Sequence, residues 1–423
     1  MESLGFNFQH TPVKLCPWQK NRLITWPTTV KVPDNCAIHV PDTAFPFVPS
    51  RLGASTLAAS SPDAIGSYTG CAISCETLAT KFPNQVYLGA TNGTDYVASR
   101  EGFWSTIQGD VSPSCFFQPV STTEVSVALK DIPNTGSSTI EGGLVIDLVR
   151  LNGITLSEDK VSAIVEPGNT WAYTYENLQK SGVTIPDGRM FGIEFEVVVA
   201  SSEIVNASTT PNLDLYWALR GGGSNFGAVT RFKFNTFPQD KMWYAKLHYD
   251  AAENITANAA FADWGTIQSP KYLSNAAVLS WNEEASALAF ISIQQIQIQA
   301  INKSQLELMR RNGGNPHRLG EQSQPLGFVN LRARWESAKD DDAIYRAQQR
   351  TEERINKVAD EMGLDSGYKY TNYVSQFQDP FAGCGQANKE RLRSIAEKSD
   401  PSGAFQELSP GGFKATKGAP QIL

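Results

Sequence analysis

The chain has 423 residues, 41% hydrophobic and 19% charged, which suits a globular protein of two or so domains at roughly 150 residues each. A net charge of -7 and a pI near 5.3 argue against a nucleic-acid partner, which needs a basic face. No run approaches the ~20 apolar residues of a membrane span. No CxxC pair occurs and no histidine stands near a cysteine cluster, so no metal site is expected.

Residues 1–66 read as an irregular leader or linker. Prolines at 12, 17, 27, 33, 41, 46, 49 and 62 break any long element, and LGASTLAASSPDA (52–64) is small and polar. Order is expected from near Cys71. Ser121–Ile132 carries a Ser-x-x-Glu capping box and apolar residues at Val125, Ala128, Leu129 and Ile132, which predicts a helix. Strands are predicted at Leu144–Leu148 and Ser162–Val165. Thr170 caps a helix that runs through Tyr173 and Leu178 and stops at Gly182. Phe195–Ala200 and Glu203–Val205 read as a hairpin.

Asp214–Phe234 (DLYWALRGGGSNFGAVTRFKF) is the most informative run. Leu215, Trp217, Ala218 and Leu219 suit a short, partly buried helical turn; Gly221, Gly222 and Gly223 permit left-handed or strained backbone; Ala228, Thr230, Phe232 and Phe234 then alternate as in a strand. Helix, loop, strand reverses the order of a nucleotide-binding loop, and Phe226 stands where the last glycine of G-x-G-x-x-G belongs. The glycines are therefore read as a turn before a buried strand.

Beyond Trp243 the pattern loosens, with one strand predicted at Ala287–Ile298. Ile344, Ala347, Thr351, Ile355, Val358 and Met362 mark one face of a long helix stopped by Gly363. Asn388 is the predicted cap of a last helix, Arg391–Lys398, ended by Asp400-Pro401. Asp340, Asp341 and Asp342 suit a solvated helix N-terminus. His248 and His317 stand alone in the sequence, and neither is given a catalytic role.

Six cysteines (Cys16, Cys36, Cys71, Cys75, Cys115 and Cys384) and sequons at Asn92, Asn206, Asn254 and Asn302 tilt towards a secreted, oxidising setting, although MESLGFNFQHTPVKLCPWQK has no apolar core of a signal peptide. Cys75 and Cys115 suit a disulfide tying the start of the domain to its first helix, or two free buried thiols; a secreted chain favours the disulfide.

Several pieces in one order resemble the FAD-linked oxidoreductases with a PCMH-type FAD domain, in particular fungal members similar to berberine bridge enzyme. These are Ser112-Pro113-Ser114-Cys115 with Pro119, IEGGLVIDLVRLNGITLS (140–157), VEPGNTWAYTYENLQKSG (165–182), FEVVVASSEIVNA (195–207), the run at 214–234, YTNY (370–373), DPFAGCG (379–385) and DPSGAFQELSPGGFK (400–414). The resemblance implies an α+β protein. A PCMH-type FAD-binding lobe of two subdomains would span 67–240, and a smaller antiparallel-sheet substrate lobe 241–365. The C-terminal segment, 366–423, would return to the FAD lobe. Asn372 would lie at the flavin with Tyr370 and Tyr373 beside it, and Ile204 near the adenine. The chemistry implied is hydride transfer from an alcohol, sugar or secondary-metabolite carbon to FAD, reoxidised by oxygen, in a monomer acting on a small molecule.

Two pieces of the family pattern are missing. Ile132–Thr139 stands where an Arg-Gly-Gly-Gly-His-type pyrophosphate loop is expected, and no histidine occurs between His39 and His248. Met190–Glu194 replaces a longer segment with a second attachment point. FAD would then be held non-covalently, with Gly136 to Ser138 and Gly188 to Arg189 as the remaining diphosphate donors and Arg189 as a phosphate partner. The alternative is a degenerate, catalytically silent relative acting as a secreted binding or scaffold protein without flavin.

Overall fold

The computed structural model describes residues 38–39, 65–91, 93–103, 109–131, 142–186, 193–241, 277, 279–284, 288, 293–375, 377–409 and 412–417. Gly136 to Ser138, Gly188, Arg189, His248, Ala287 and the sequons at Asn92 and Asn254 lie outside them, as does the leader apart from Ile38–His39 and the residues from Ile65 on.

The first layer combines β1 (Ile38–His39), α1 (Ile65–Lys81), β2 (Val86–Leu88), α2 (Thr94–Glu101), β3 (Cys115–Phe117), α3 (Thr122–Asp131) and β4 (Leu144–Ile146). Its sheet runs β1-β4-β3-β2, with β4 parallel to β1 and β3 and β2 antiparallel to β3. CFF and LVI are apolar throughout because β3 and β4 are buried on both faces. Leu78 of α1 and Val125, Ala128 and Leu129 of α3 pack with Leu144 and Ile146. Cys75 and Cys115 are disulfide-bonded, so α1 is tied to β3, and Cys71 is disulfide-bonded as well. At the start of α3, Ser121 Oγ accepts from Glu124 N at 3.3 Å, while the Glu124 carboxylate accepts from Val120 N at 2.7 Å, one residue earlier than a standard capping box.

The second sheet has the order β5-β6-β10-β8-β9 and is antiparallel throughout. Its strands are β5 (Ile154–Leu156), β6 (Ser162–Val165), β8 (Ile193–Val198), β9 (Ile204–Ala207) and the central β10 (Ala228–Asn235). A two-residue pair, β7 (Val183–Thr184) and β11 (Phe237–Pro238), lies beside it. α4 (Trp171–Gln179) begins at the predicted cap, where Thr170 Oγ1 accepts from Tyr173 N at 3.2 Å. α5 (Leu213–Leu219) precedes the glycines. β10 buries Ala228, Thr230, Phe232 and Phe234, the alternate residues expected. The hairpin of β8 and β9 pairs Val198 with Ile204, and Ser202 takes φ 66° at its turn. Glu196 joins this sheet to α3: its Oε1 accepts from Thr122 at 2.7 Å and Thr230 at 3.1 Å, and its Oε2 meets Arg231 at 3.1 Å.

The third unit pairs β12 (Ile293–Ile301) with β13 (Leu326–Arg334), with α6 (Lys303–Met309) between them in sequence. Of the strand predicted at Ala287–Ile298, residues 287 and 289–292 lie outside the described residues; β12 takes in 293–298 and runs three residues further, to Ile301. α7 (Asp341–Glu361) covers the pair: Ile344, Tyr345 and Ala347 pack with Ala333, Trp335 and Trp281. Of its predicted face, Ile344, Ala347 and Thr351 are buried, Ile355 and Val358 half-buried, and Met362 exposed beyond the helix end. Gly363, at φ 65°, stops it, and Leu364 N donates back to Ala359 O at 2.8 Å. Asp341 is less solvated than expected, since its Oδ1 accepts from Trp335 Nε1 at 2.5 Å.

α8 (Gln386–Ser399) starts five residues before the predicted Arg391. Gly385, at φ 78°, precedes its first residue, and Asn388 is no cap: it lies inside the helix and its Nδ2 donates to Pro316 O at 2.9 Å. Arg391 lies over the Trp217 ring at 4.1 Å and pairs with Asp214, which docks α8 on α5. Mixed helices and sheets in these layers make an α+β fold. Among the described residues no helix is long and apolar enough to cross a membrane.

Candidate active site

The glycine run does not end in a phosphate cradle. Gly221, Gly222 and Gly223 bring the chain from α5 to Asn225, whose side chain is fully buried and saturated. Its Nδ2 donates to Gly222 O at 2.6 Å and Phe413 O at 2.9 Å; its Oδ1 accepts from Gln406 Nε2 and Ala415 N, both at 3.0 Å. One asparagine thereby knots the glycine run to the C-terminal segment. Asp400 braces the same segment, its carboxylate accepting from the backbone of Ala404, Phe405 and Gln406 at the start of a π-helical turn (Ala404–Leu408). Burial outweighs those three donors and holds the Asp400 carboxyl above its usual range.

Gly221 takes φ 125° and packs against His317, leaving no room for a Cβ, which would sit 2.6 Å from the imidazole Cδ2. The expectation of a solitary His317 is corrected here. Its Nε2 lies 2.8 Å from Gly221 O, its Nδ1 3.6 Å from Cys384 Sγ, and its ring stacks on Phe381 and meets Tyr368 edge-on. A carbonyl opposite Nε2 assigns the proton to that nitrogen and leaves Nδ1 to accept from the thiol. Burial lowers the imidazole pKa and pushes the Cys384 thiol up to about 12. Both groups are therefore neutral at pH 7, the reverse of a thiolate-imidazolium nucleophile. Sequence reasoning had no access to this cluster, because Gly221, His317 and Cys384 meet only in the folded chain.

Thr371 approaches both Gly221 O and His317 Nε2 at 3.5 Å, so the YTNY segment leans on the glycine run. Beyond it opens a cleft of about 460 Å3 between β13, α7 and residues 363–378. That volume lies within the range of small-molecule sites. Tyr370, Asn372 and Tyr373 all line it. Tyr370 and Tyr373 meet edge to face at 4.9 Å, and both pack on Phe328 of β13. Asn372 is exposed to the cleft region and its Nδ2 donates to the Tyr370 hydroxyl at 3.0 Å. Ile204 is placed elsewhere, exposed at the start of β9 and outside the cleft lining. Arg189 falls outside the described residues. Among those described, no group of three His, Cys, Asp or Glu is arranged to hold a metal ion.

A flavin has a flat aromatic end and a diphosphate end. The aromatic wall and the Asn372 amide fit the first: they offer stacking surface and an amide donor and acceptor. The donors expected for the second, Gly136 to Ser138 and Gly188 to Arg189, lie outside the described residues.

The layers and their order define the fold of the FAD-binding oxidases similar to berberine bridge enzyme. Wild-type BBE-like 1 of Physcomitrella patens superimposes with a TM-score of 0.51 at 14% identity, covering 82% of this chain and 99% of that one. The xylooligosaccharide oxidase of Myceliophthora thermophila, solved with xylobiose, gives 0.51 at 17% identity, covering 79% and 98%. No family model matches the chain. In sequence it is similar to the FAD-dependent monooxygenase sdcF of Emericella nidulans, with 24% identity over 473 residues, 80% of this chain and 98% of that protein. The chain thus has homologues among FAD-dependent oxidoreductases.

Proposed function

We propose that the protein is an FAD-dependent oxidoreductase acting on an alcohol, sugar or secondary-metabolite carbon, with the cleft at Tyr370, Asn372 and Tyr373 as the place where ring and substrate meet. The observation that carries this reading is the convergence of those three residues on one aromatic-walled cleft in a fold of FAD-binding oxidases. Bound flavin would supply hydride acceptance and reoxidation by oxygen. The chain's own residues would hold the flavin through the Asn372 amide with Tyr370 and Tyr373 beside it, the tyrosine wall turned to the substrate, and keep water from the reacting face. His317 and Thr371 would brace the segment from behind without touching substrate.

FAD is held without a covalent link in this reading, because no histidine lies between His39 and His248. Ile204 and Arg189 remain the proposed partners of the adenine and the phosphates. The lobes are assigned as 67–240, 241–365 and 366–423, in a monomer. The disulfides at Cys75–Cys115 and at Cys71 support an oxidising, secretory setting. The flavin-free scaffold reading is kept as the alternative on one observation: 473 aligned positions use only 80% of this chain's 423 residues, so gaps of roughly 135 positions fall opposite it. Such gaps accord with lost cofactor-binding segments.

The visible spectrum of the purified chain, before and after acid precipitation, separates the two. Flavin bands that leave with the supernatant are expected. A colourless, folded protein that takes up no added FAD refutes the enzyme reading, and a flavin-mass adduct on any peptide refutes non-covalent binding.

A further inference from the structure

Four charged side chains line the cleft: Arg332, Glu352, Asp365 and Lys369. Three of them are engaged. Lys369 Nζ pairs with Glu352 Oε1 at 2.5 Å, with Asn356 Nδ2 on the same oxygen at 3.3 Å. Asp365 Oδ1 accepts from Gly367 N at 2.8 Å. Arg332 is half-buried on β13, and its guanidinium makes no hydrogen bond or ion pair with any described residue.

Strand alternation sets Phe328, Asn330 and Arg332 on one face of β13. Phe328 is the ring on which Tyr370 and Tyr373 pack, so the aromatic wall and the guanidinium share a surface. Their Cα atoms are four residues apart, roughly 13 Å along the strand. A ligand filling this cleft strips water from Arg332. If it is neutral, the guanidinium loses hydration and gains nothing, which opposes binding. If it carries a carboxylate, the planar fork is matched by two parallel hydrogen bonds. The Lys369 ammonium already has its charge matched by Glu352, so it offers a ligand carboxylate less than the unpaired guanidinium does.

We propose that the substrate of this cleft is a small planar aromatic molecule bearing a carboxylate, its ring against Phe328, Tyr370 and Tyr373 and its carboxylate on Arg332. The inference rests on the reading of this cleft as the substrate site. It assigns Arg332 as the residue that selects charge.

The test titrates the full chain by calorimetry with 4-hydroxycinnamate and with its neutral amide, before and after addition of FAD. The acid is expected to bind about tenfold or more tighter than the amide, the scale of charge-assisted hydrogen bonds. Arg332→Gln is expected to abolish that preference, weakening the acid while the amide, with no guanidinium left to desolvate, binds at least as tightly as before, whereas Arg346→Gln, on the outer face of α7, leaves the preference intact. Should Arg332→Gln not fold, Arg332→Lys decides: a several-fold loss for the acid alone supports the assignment, and an unchanged acid affinity overturns it. Equal affinities in the unaltered chain, no measurable acid binding, or a preference that survives Arg332→Gln also overturn it. So does an FAD affinity that falls in Arg332→Gln and is blocked by the acid, since Arg332 would then belong to a cofactor phosphate. An acid preference in a chain that takes up no FAD removes the oxidoreductase reading and leaves the carboxylate site standing.

Discussion

Removing the Asn225 side chain should release the C-terminal segment. In Asn225→Ala, Gly222 O, Phe413 O and Ala415 N each lose a buried hydrogen bond, while Gln406 Nε2 keeps the Asn225 carbonyl at 3.1 Å. Orphaning a buried polar group costs about 1–3 kcal/mol, so three such groups, partly relieved by water entry, amount to about 3–5 kcal/mol. Amide hydrogen exchange over residues 403–417 is the assay, because the loss should be local. At about 1.4 kcal/mol per factor of ten, exchange there should quicken by two to three powers of ten, with α2 and β2 unaffected. Asn225→Asp keeps the size but turns both donors into acceptors facing two carbonyls, with a buried charge added. It should be at least as damaging at pH 7 and partly relieved by acid. If Asn225→Ala alters exchange by less than tenfold, or quickens it evenly across the chain, the knot does not hold the segment.

Gly221→Ala should cost about 2–4 kcal/mol in urea unfolding, from a side chain at φ 125° together with the clash on His317. In a His317→Ala background that cost should shrink by about 1–2 kcal/mol, since only the clash is relieved; strict additivity would show that the packing is not shared. His317 also sets a pH dependence. Burial lowers its folded pKa below the usual 6.5, so the unfolded chain binds the extra proton first and stability falls as pH drops through and below 6.5. Asp147 and Asp400, raised from 3.8 by burial, slope the opposite way above pH 3.8, so the comparison must be between the native chain and His317→Gln. Their stability difference should narrow from pH 7.5 to pH 5.5, and a constant difference would sink the assignment of a buried neutral imidazole.

Local pattern and distant contact differ in how visible they are in this chain. The β8–β9 hairpin, the α4 cap at Thr170 and the burial of alternate β10 residues follow from neighbours a few positions apart, and they stand where the spacing puts them. The start of α8 was missed because Asn388 offers a cap in any local reading, whereas the helix begins after Gly385 and spends Asn388 on Pro316 O, 72 residues away. His317 was missed for the same reason: its partners lie 54, 67 and 96 residues off. Tyr370, Asn372 and Tyr373 were placed by resemblance, and what the sequence could not show is that Phe328 and Arg332 face the same cleft. Strand period alone cannot reveal which loop closes over a given face.

The Asn225 knot also imposes an order of events on a ribosome. Its donors and acceptors at 406, 413 and 415 lie 181 to 190 residues downstream. Both five-stranded and four-stranded sheets can be synthesised, and their hairpins closed, while Asn225 still has only Gly222 O to bind. The sheets made first are thus finished last, closed by contacts from residues 406–415. During that interval the glycine run lacks its partners at 406, 413 and 415, so truncation before residue 406 would leave both sheets without the contacts that close it.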